Sequence, residues 1–190
     1  MDVRPCRGCF SCWRVTPGTC VIKDDMAWIL EKTLWADIVI WSFPLYYFYV
    51  PGLVKTMIDR RLPLTLPDII PDPERPGLTK HPPRYDLSGQ RNVLVSTCGF
   101  YKPDGIYGDV ISLFDRLYGK GKYETIFCGE GELFRVPPMK PRIDEYLSYA
   151  RCAGKEFANG AISVQTKGKL QELLLAQDRF EKMANTSWKQ

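Results

Sequence analysis

Residues 36–52 read ADIVIWSFPLYYFYVPG, and the first half of this stretch decides the fold class. Residues 37–43 form a continuous apolar run that Pro44 stops. A run that is apolar on both alternations suits a strand covered on both faces, which is the habit of parallel sheets. Pro51 can open the next helix, whose apolar face is Leu53, Val54, Met57 and Ile58. Working outward, residues 92–98 (NVLVSTC) and 123–128 repeat the strand pattern. Helical stripes fall between and around the runs. Met26, Ile29, Leu30, Thr33 and Leu34 stripe residues 25–34, with Asp24 or Asp25 as N-cap. Further helices are expected over 52–61, 106–118, 142–158 and 169–183. Alternating strand and helix means an α/β domain with a parallel sheet.

Seven prolines between residues 63 and 83 exclude a helix or central strand there. Residues 63–91 therefore read as one long surface connection within a single domain covering 1–190. Net charge is +4 and no Lys/Arg block occurs, so nucleic-acid binding gets little support. No apolar run approaches the roughly 18 residues that a membrane span needs. The first residues, MDVRP, lack the apolar region of a secretory signal, which points to a reducing cytoplasm rather than disulfides.

Ahead of the first helix lies CRGCFSCWRVTPGTC, with Cys6, Cys9, Cys12 and Cys20 separated by two, two and seven residues. Three thiols at three-residue steps can face one point if the backbone coils around it, and a fourth can return after a loop. Such a set can hold a four-iron cluster or one zinc ion. Free or redox-active thiols are the alternative, ranked after a cluster and before zinc. Arg4, Arg7, Arg14 and Lys23 nearby favour thiolates, and Gly8 and Gly18 permit tight turns.

Ligands of parallel sheets sit beyond the carboxyl ends of the strands. There the chain places Pro44, Leu45, Tyr46, Tyr47 and Phe48 after the first strand, and Thr97, Cys98, Gly99, Phe100 and Tyr101 around the end of the second. An aromatic loop beside a glycine suits a flat heterocycle that wants stacking faces and backbone donors. Packing of the loop on its own neighbours, or on a second subunit, is the competing account. No side chain is assigned as catalytic acid, base or nucleophile. His81 reads as a solvated loop residue, Asp59 and Arg60 as a structural ion pair, Glu130 and Glu132 as solvated, and Cys128 and Cys152 as core.

These residues carry a family resemblance. The segments CRGCFSC…C…DDM, ADIVIWSFPLYYFYVPGLVKTMIDR, VSTCGFY, EGELFRVP, AGKEFANG and MANTSW resemble the flavodoxin-like NAD(P)H-dependent FMN reductases, and among them the iron–sulfur flavoproteins. The resemblance implies a flavodoxin-like fold with helices on both faces of the sheet. It implies FMN held by Pro44, Leu45, Tyr46, Tyr47 and Phe48 with Cys98, Gly99 and Phe100. It also implies a 4Fe-4S cluster on Cys6, Cys9, Cys12 and Cys20, with NAD(P)H or a protein electron carrier as partner. The family's opening strand and phosphate-wrapping loop have no counterpart ahead of the cysteines, so the domain is expected to be N-terminally truncated and to bind FMN phosphate weakly. The strand at 37–43 would then be an open edge. A homo-oligomer, or another chain completing the sheet, is expected to cover it. The expected activity is that of a flavin-dependent oxidoreductase. The alternative is a cofactor-poor α/β module acting in assembly or interaction.

Overall fold

Three of the apolar runs become neighbouring strands. The computed structural model describes residues 1–187, in the order α1 (Ser11–Arg14), α2 (Met26–Trp35), β1 (Ile38–Pro44), α3 (Gly52–Asp59), β2 (Ile70–Pro71), β3 (Thr79–Lys80), β4 (Arg91–Thr97), α4 (Gly108–Tyr118), β5 (Tyr123–Cys128), α5 (Lys140–Ala158), α6 (Val164–Leu170) and α7 (Gln177–Ser187). The sheet runs in the order β1–β4–β5. Its direction can be read from the hydrogen bonds at the strand ends. Arg91 N donates to Asp37 O at 2.9 Å where β1 and β4 begin, and Leu45 N donates to Thr97 O at 2.8 Å where they finish. Starts meet starts and ends meet ends, so the pair is parallel. Cys98 N donates to Cys128 O at 2.9 Å at the ends of β4 and β5. The α/β class with a parallel sheet is as the apolar runs predict.

By internal contacts the chain divides into two compact units, one of Met1–Val39 with Val50–Asn92, the other of Ile40–Tyr49 with Val93 onward. The first is centred on Met26, Leu30 and Leu64, with Val3, Ile29, Leu34 and Met57 packed against them. This is the stripe read from residues 25–34, now given its opposing surface. The second has Leu94, Val110, Phe114, Leu133 and Ala153 fully out of water. Phe114 takes Trp41 edge-on at 5.6 Å and Phe43 stacked at 6.2 Å. Burying rings of this size supplies roughly 2–3 kcal/mol each.

Several expectations need correction. The helix expected at 169–183 is broken into α6 and α7. Leu174 and Leu175 turn their backbone N–H groups to the Glu130 carboxylate instead of continuing a helix, at 2.6 and 3.3 Å. Cys152 is exposed, not core. Glu130 is 1% exposed, not solvated. Asp59 pairs with Lys55 at 2.6 Å one helical turn back, and Arg60 pairs elsewhere. The proline-rich stretch contains a small hairpin, β2 paired antiparallel with β3 in the register Ile70 to Lys80. His81 is exposed, yet its ring leans on Trp13 at 4.8 Å. Trp188, the last residue of the MANTSW segment, lies outside the described residues.

Candidate functional site

The four cysteines occupy one loop whose two ends are fastened together. Asp2 N donates to Asp25 Oδ2 at 2.6 Å, and Asp25 N donates to Asp2 O at 2.9 Å. Arg4 N donates to Asp24 Oδ2 at 2.9 Å, and the Arg4 guanidinium donates to Lys23 O. Arg60 grips Asp24 with both terminal nitrogens, at 2.7 and 2.9 Å, and reaches Arg4 O at 2.6 Å. The pair is shut off from water, with side-chain exposures of 1% and 0%. A bidentate guanidinium–carboxylate pair is the arrangement best able to offset the desolvation of both charges. Arg60 hydrogen bonds hold the Asp24 carboxyl well below the usual carboxylate range. Asp24 Oδ1 also accepts from Met26 N at 3.2 Å, so this residue starts α2 as well.

Inside the loop the backbone coils tightly. Gly8 and Phe10 both adopt left-handed backbone, with φ of 63° and 54°, and α1 follows at once. Trp13 anchors α1 by donating from Nε1 to Leu62 O and Thr65 O, at 3.2 and 3.0 Å. Cys6 and Cys9 are exposed, Cys20 is half-buried and Cys12 is buried. Burial pushes the Cys12 thiol up, and Cys20, Cys6 and Cys9 push it further. Hydrogen bonding to Ser11, with help from Arg7, draws the Cys9 thiol down. All seven cysteines are unbridged. Among the described residues no three Cys, His, Asp or Glu side chains stand grouped closely enough to hold a metal ion. In donor type four thiols on one loop suit a thiolate-ligated centre, but their side chains are not gathered around one point in this arrangement.

The second candidate region lies at the carboxyl ends of β1, β4 and β5. Leu45 is buried, and the chain then reverses in a two-residue turn: Tyr46 and Tyr49 exchange backbone hydrogen bonds, both at 3.0 Å. The two central residues, Tyr47 and Phe48, have φ of 51° and 64°. A turn with two left-handed centres normally takes Asn-Gly, because side chains there are strained. Here two aromatic residues bear that strain, and Tyr47 is 98% exposed. Phe48 stacks on Phe100 at 5.5 Å and 22°. The loops at 44–48 and 97–101 are thus brought together. Their touching rings leave no room for a third ring between Phe48 and Phe100, since a sandwich needs about 7 Å or more.

Below that stack Cys98 is buried, and burial pushes its thiol up. Burial also pushes the Cys128 thiol up to about 11, so neither is a nucleophile at neutral pH. Tyr107 donates to Ser96 Oγ at 3.1 Å and stacks on Phe127 at 3.9 Å. Tyr101 leans toward Phe180 at 6.2 Å.

The role of two glycines in this region was not read from the sequence. Gly129 and Gly131 let two loops interlock: an added Cβ would meet Tyr101 O at 2.6 Å or Thr97 Cβ at 3.1 Å. Between them Glu130, in left-handed backbone, donates its N–H to Phe100 O at 2.7 Å, and Gly131 N donates to Cys98 O at 2.8 Å. The Glu130 side chain turns inward. Its Oε2 receives Leu174 and Leu175, while Oε1 is buried without a partner. Burial pushes this carboxyl up. A glutamate flanked by two glycines at a strand end was the available signal.

Comparison with known proteins finds a similarity over the first third of the chain. Residues 2–65 match the model of the family described as NADPH-dependent FMN reductase. An iron-sulfur flavoprotein of Archaeoglobus fulgidus is 39% identical over 59 residues, which is 31% of this chain and 28% of that one. An iron-sulfur flavoprotein of Methanocaldococcus jannaschii is 42% identical over 55 residues, 29% of this chain and 27% of that one. The matches therefore span under a third of these relatives' length. Among solved structures, an azoreductase from Bacillus anthracis is similar at a TM-score of 0.39 and 20% identity, over 57% of this chain and 51% of that one. That likeness is too slight to place any residue. The matched 64-residue segment holds all four cysteines of the fastened loop, Asp24 and Arg60, β1 and the strained aromatic turn. Over residues 2–65, about a third of the chain, the protein is similar to the NADPH-dependent FMN reductase family.

Proposed function

We propose that the chain is a flavin-dependent oxidoreductase that takes electrons from NAD(P)H or a reduced protein carrier in the cytoplasm, with FMN at the 44–48 and 97–101 loops and a 4Fe-4S cluster on Cys6, Cys9, Cys12 and Cys20. The observation that carries this reading is the Tyr47–Phe48 turn. Strain of about 1–3 kcal/mol per left-handed residue persists where the surroundings over-determine it, most often at binding sites. Here it presents aromatic surface to solvent at the ends of two adjacent parallel strands. The similarity of residues 2–65 to NADPH-dependent FMN reductases supports FMN as the heterocycle for that surface. Flavin supplies both hydride and single-electron chemistry, and an iron–sulfur centre supplies single-electron transfer. The chain's own part is to stack the ring, through Tyr46, Tyr47 and Phe48, and to present backbone donors from Gly99 and Phe100. Buried Cys98 and Leu45 form the dry floor. The names of the archaeal relatives support the cluster.

The test is an absorption spectrum of protein purified without oxygen. Flavin bands near roughly 450 nm with a broad shoulder near roughly 400 nm are expected, together with about four irons per chain. Zinc at about one per chain would replace the cluster reading. One observation favours a second reading, a cofactor-poor interaction module: Phe48 and Phe100 already satisfy one another's faces. A colourless protein that gives no fluorescence quenching on FMN titration selects that reading.

Because β1 ends the sheet, and Ile40 on it is 62% exposed, we also place a second subunit or another chain against it. Native mass at low concentration should exceed 21.8 kDa. A monomer with slow amide exchange along 37–43 would exclude such a partner.

A further inference from the structure

We infer that Glu130 is the positioning residue for two backbone donors of the proposed flavin site, Gly99 N–H and Tyr101 N–H; the inference rests on the FMN reading given above. A peptide unit is planar and trans, so its carbonyl and its N–H point in opposite directions. Whatever holds the one aims the other. Gly131 N donates to Cys98 O at 2.8 Å, which turns Gly99 N–H away from the 129–131 loop. Glu130 N donates to Phe100 O at 2.7 Å, which turns Tyr101 N–H away from it as well. Among the described residues neither of these two N–H groups donates to another group. Two aimed and unused donors, two residues apart, suit the carbonyl oxygens along the edge of a flat heterocycle.

The clamp is tight. A Cβ added at Gly129 would meet Tyr101 O at 2.6 Å, and one added at Gly131 would meet Cys98 O at 3.2 Å. Between the two glycines Glu130 has a φ of 55°, a conformation in which glycine is at ease and a side chain is strained. A third glycine would relieve that strain, yet the chain carries a glutamate. Its side chain gives the reason. Glu130 is 1% exposed and crosses to the segment beyond α6, where Oε2 accepts from Leu174 N at 2.6 Å and from Leu175 N at 3.3 Å. A side chain held at its far end fixes the direction of its own backbone N–H, and with it the plane of the Phe100–Tyr101 peptide. Tyr101 meets the same part of the chain, with its ring 6.2 Å from Phe180 of α7. Glu130 thus ties the donors of the 97–101 loop to residues more than seventy positions later in the sequence.

The test uses the full chain as wild type, Glu130→Gly and Glu130→Gln, titrated with FMN and followed by fluorescence quenching. Glycine keeps the backbone N–H and removes the left-handed strain, so a Glu130 that merely fills a turn predicts unchanged binding. Glutamine keeps an oxygen for Leu174 and Leu175. Near-ultraviolet circular dichroism and thermal melts of the flavin-free proteins report folding. The infrared carbonyl bands of bound FMN report the donors themselves, because losing a hydrogen bond raises a carbonyl stretching frequency.

Glu130→Gly is expected to weaken FMN binding about 10-fold, roughly the worth of one hydrogen bond, and to shift those bands upward. Glu130→Gln is expected to keep both near wild type. Folded Glu130→Gly protein with wild-type affinity and bands overturns the inference and leaves the FMN reading standing. An equal loss in Glu130→Gln overturns it too, since the charge rather than the anchoring would then matter. If Glu130→Gly does not fold, Gly131→Ala decides: its Cβ crowds Cys98 O, and unchanged affinity and bands there overturn the inference. A folded wild type that binds no FMN refutes the FMN reading itself, and with it this role for Glu130.

Discussion

The cysteine loop and the strand-end loops each contain one buried carboxylate, and the two are treated in opposite ways. Asp24 has a guanidinium on both oxygens and two backbone donors besides. Glu130 has two backbone donors on one oxygen and nothing on the other. One site is saturated and its acid is driven down; the other is under-satisfied and its acid is driven up. A saturated charge locks geometry. An under-satisfied one leaves the surrounding loop near the limit of its stability. The first suits the fixed set of sulfurs proposed for a cluster, the second the loops proposed to admit a flavin ring.

The largest effect that would break this contrast is removal of one partner of the saturated pair. Arg60→Ala leaves Asp24 buried and alone, and should cost about 3–5 kcal/mol in urea unfolding. A loss under about 1 kcal/mol would show the pair to be no more than a surface ion pair.

Opposite pH responses sharpen the same contrast. Asp24 is depressed in the folded protein, so its contribution is complete above the unfolded value of about 3.9 and is lost as pH falls below it. Asp24→Asn should flatten that acid limb in a pH series of melting temperatures. Glu130 is raised, so the folded state holds its proton more tightly, and stability declines as pH rises above about 4.3. Glu130→Gln should therefore melt higher than wild type at pH 7. A lower melting point at pH 7, with no change at pH 4, would mean that ionised Glu130 is the favoured form.

A smaller effect is expected at the strained turn. Tyr47→Gly should gain roughly 1 kcal/mol by freeing a left-handed position, yet lose roughly tenfold in FMN affinity through the missing ring, taking about 1–1.5 kcal/mol for an aromatic contact. Fluorescence titration and urea melts on the same sample separate the two. Parallel loss of both would make the turn purely structural. The smallest effect belongs to Cys152→Ser. Cys152 is exposed, on α5, and iron content and melting point should stay at wild-type values.

The strands were legible because a covered parallel strand writes a continuous apolar run. Residues 37–43, 92–98 and 123–128 each landed within one residue of β1, β4 and β5. The candidate loops followed from the strand ends alone. What failed shares one cause. Arg60 beside Asp59 looked like a local pair, and its partner proved to be 36 residues away. Leu174 and Leu175 fit a helical stripe, but a carboxylate 44 residues earlier captured their backbone. Polar contacts of long sequence separation leave no periodic trace, and a single chain offers no other signal for them.

The fastening of the cysteine loop has a thermodynamic consequence. Joining the ends of a free segment of some twenty residues costs roughly (3/2)RT ln n, near 2.7 kcal/mol. In this chain Asp24 and Arg60 close residues 4–24 whether or not anything sits within. Loop-closure entropy is then charged to folding rather than to uptake of a metal, so filling and emptying the loop become local events. If the loop holds a metal, the metal-free protein should still fold and melt cooperatively, unlike a zinc finger, in which metal and fold are lost together.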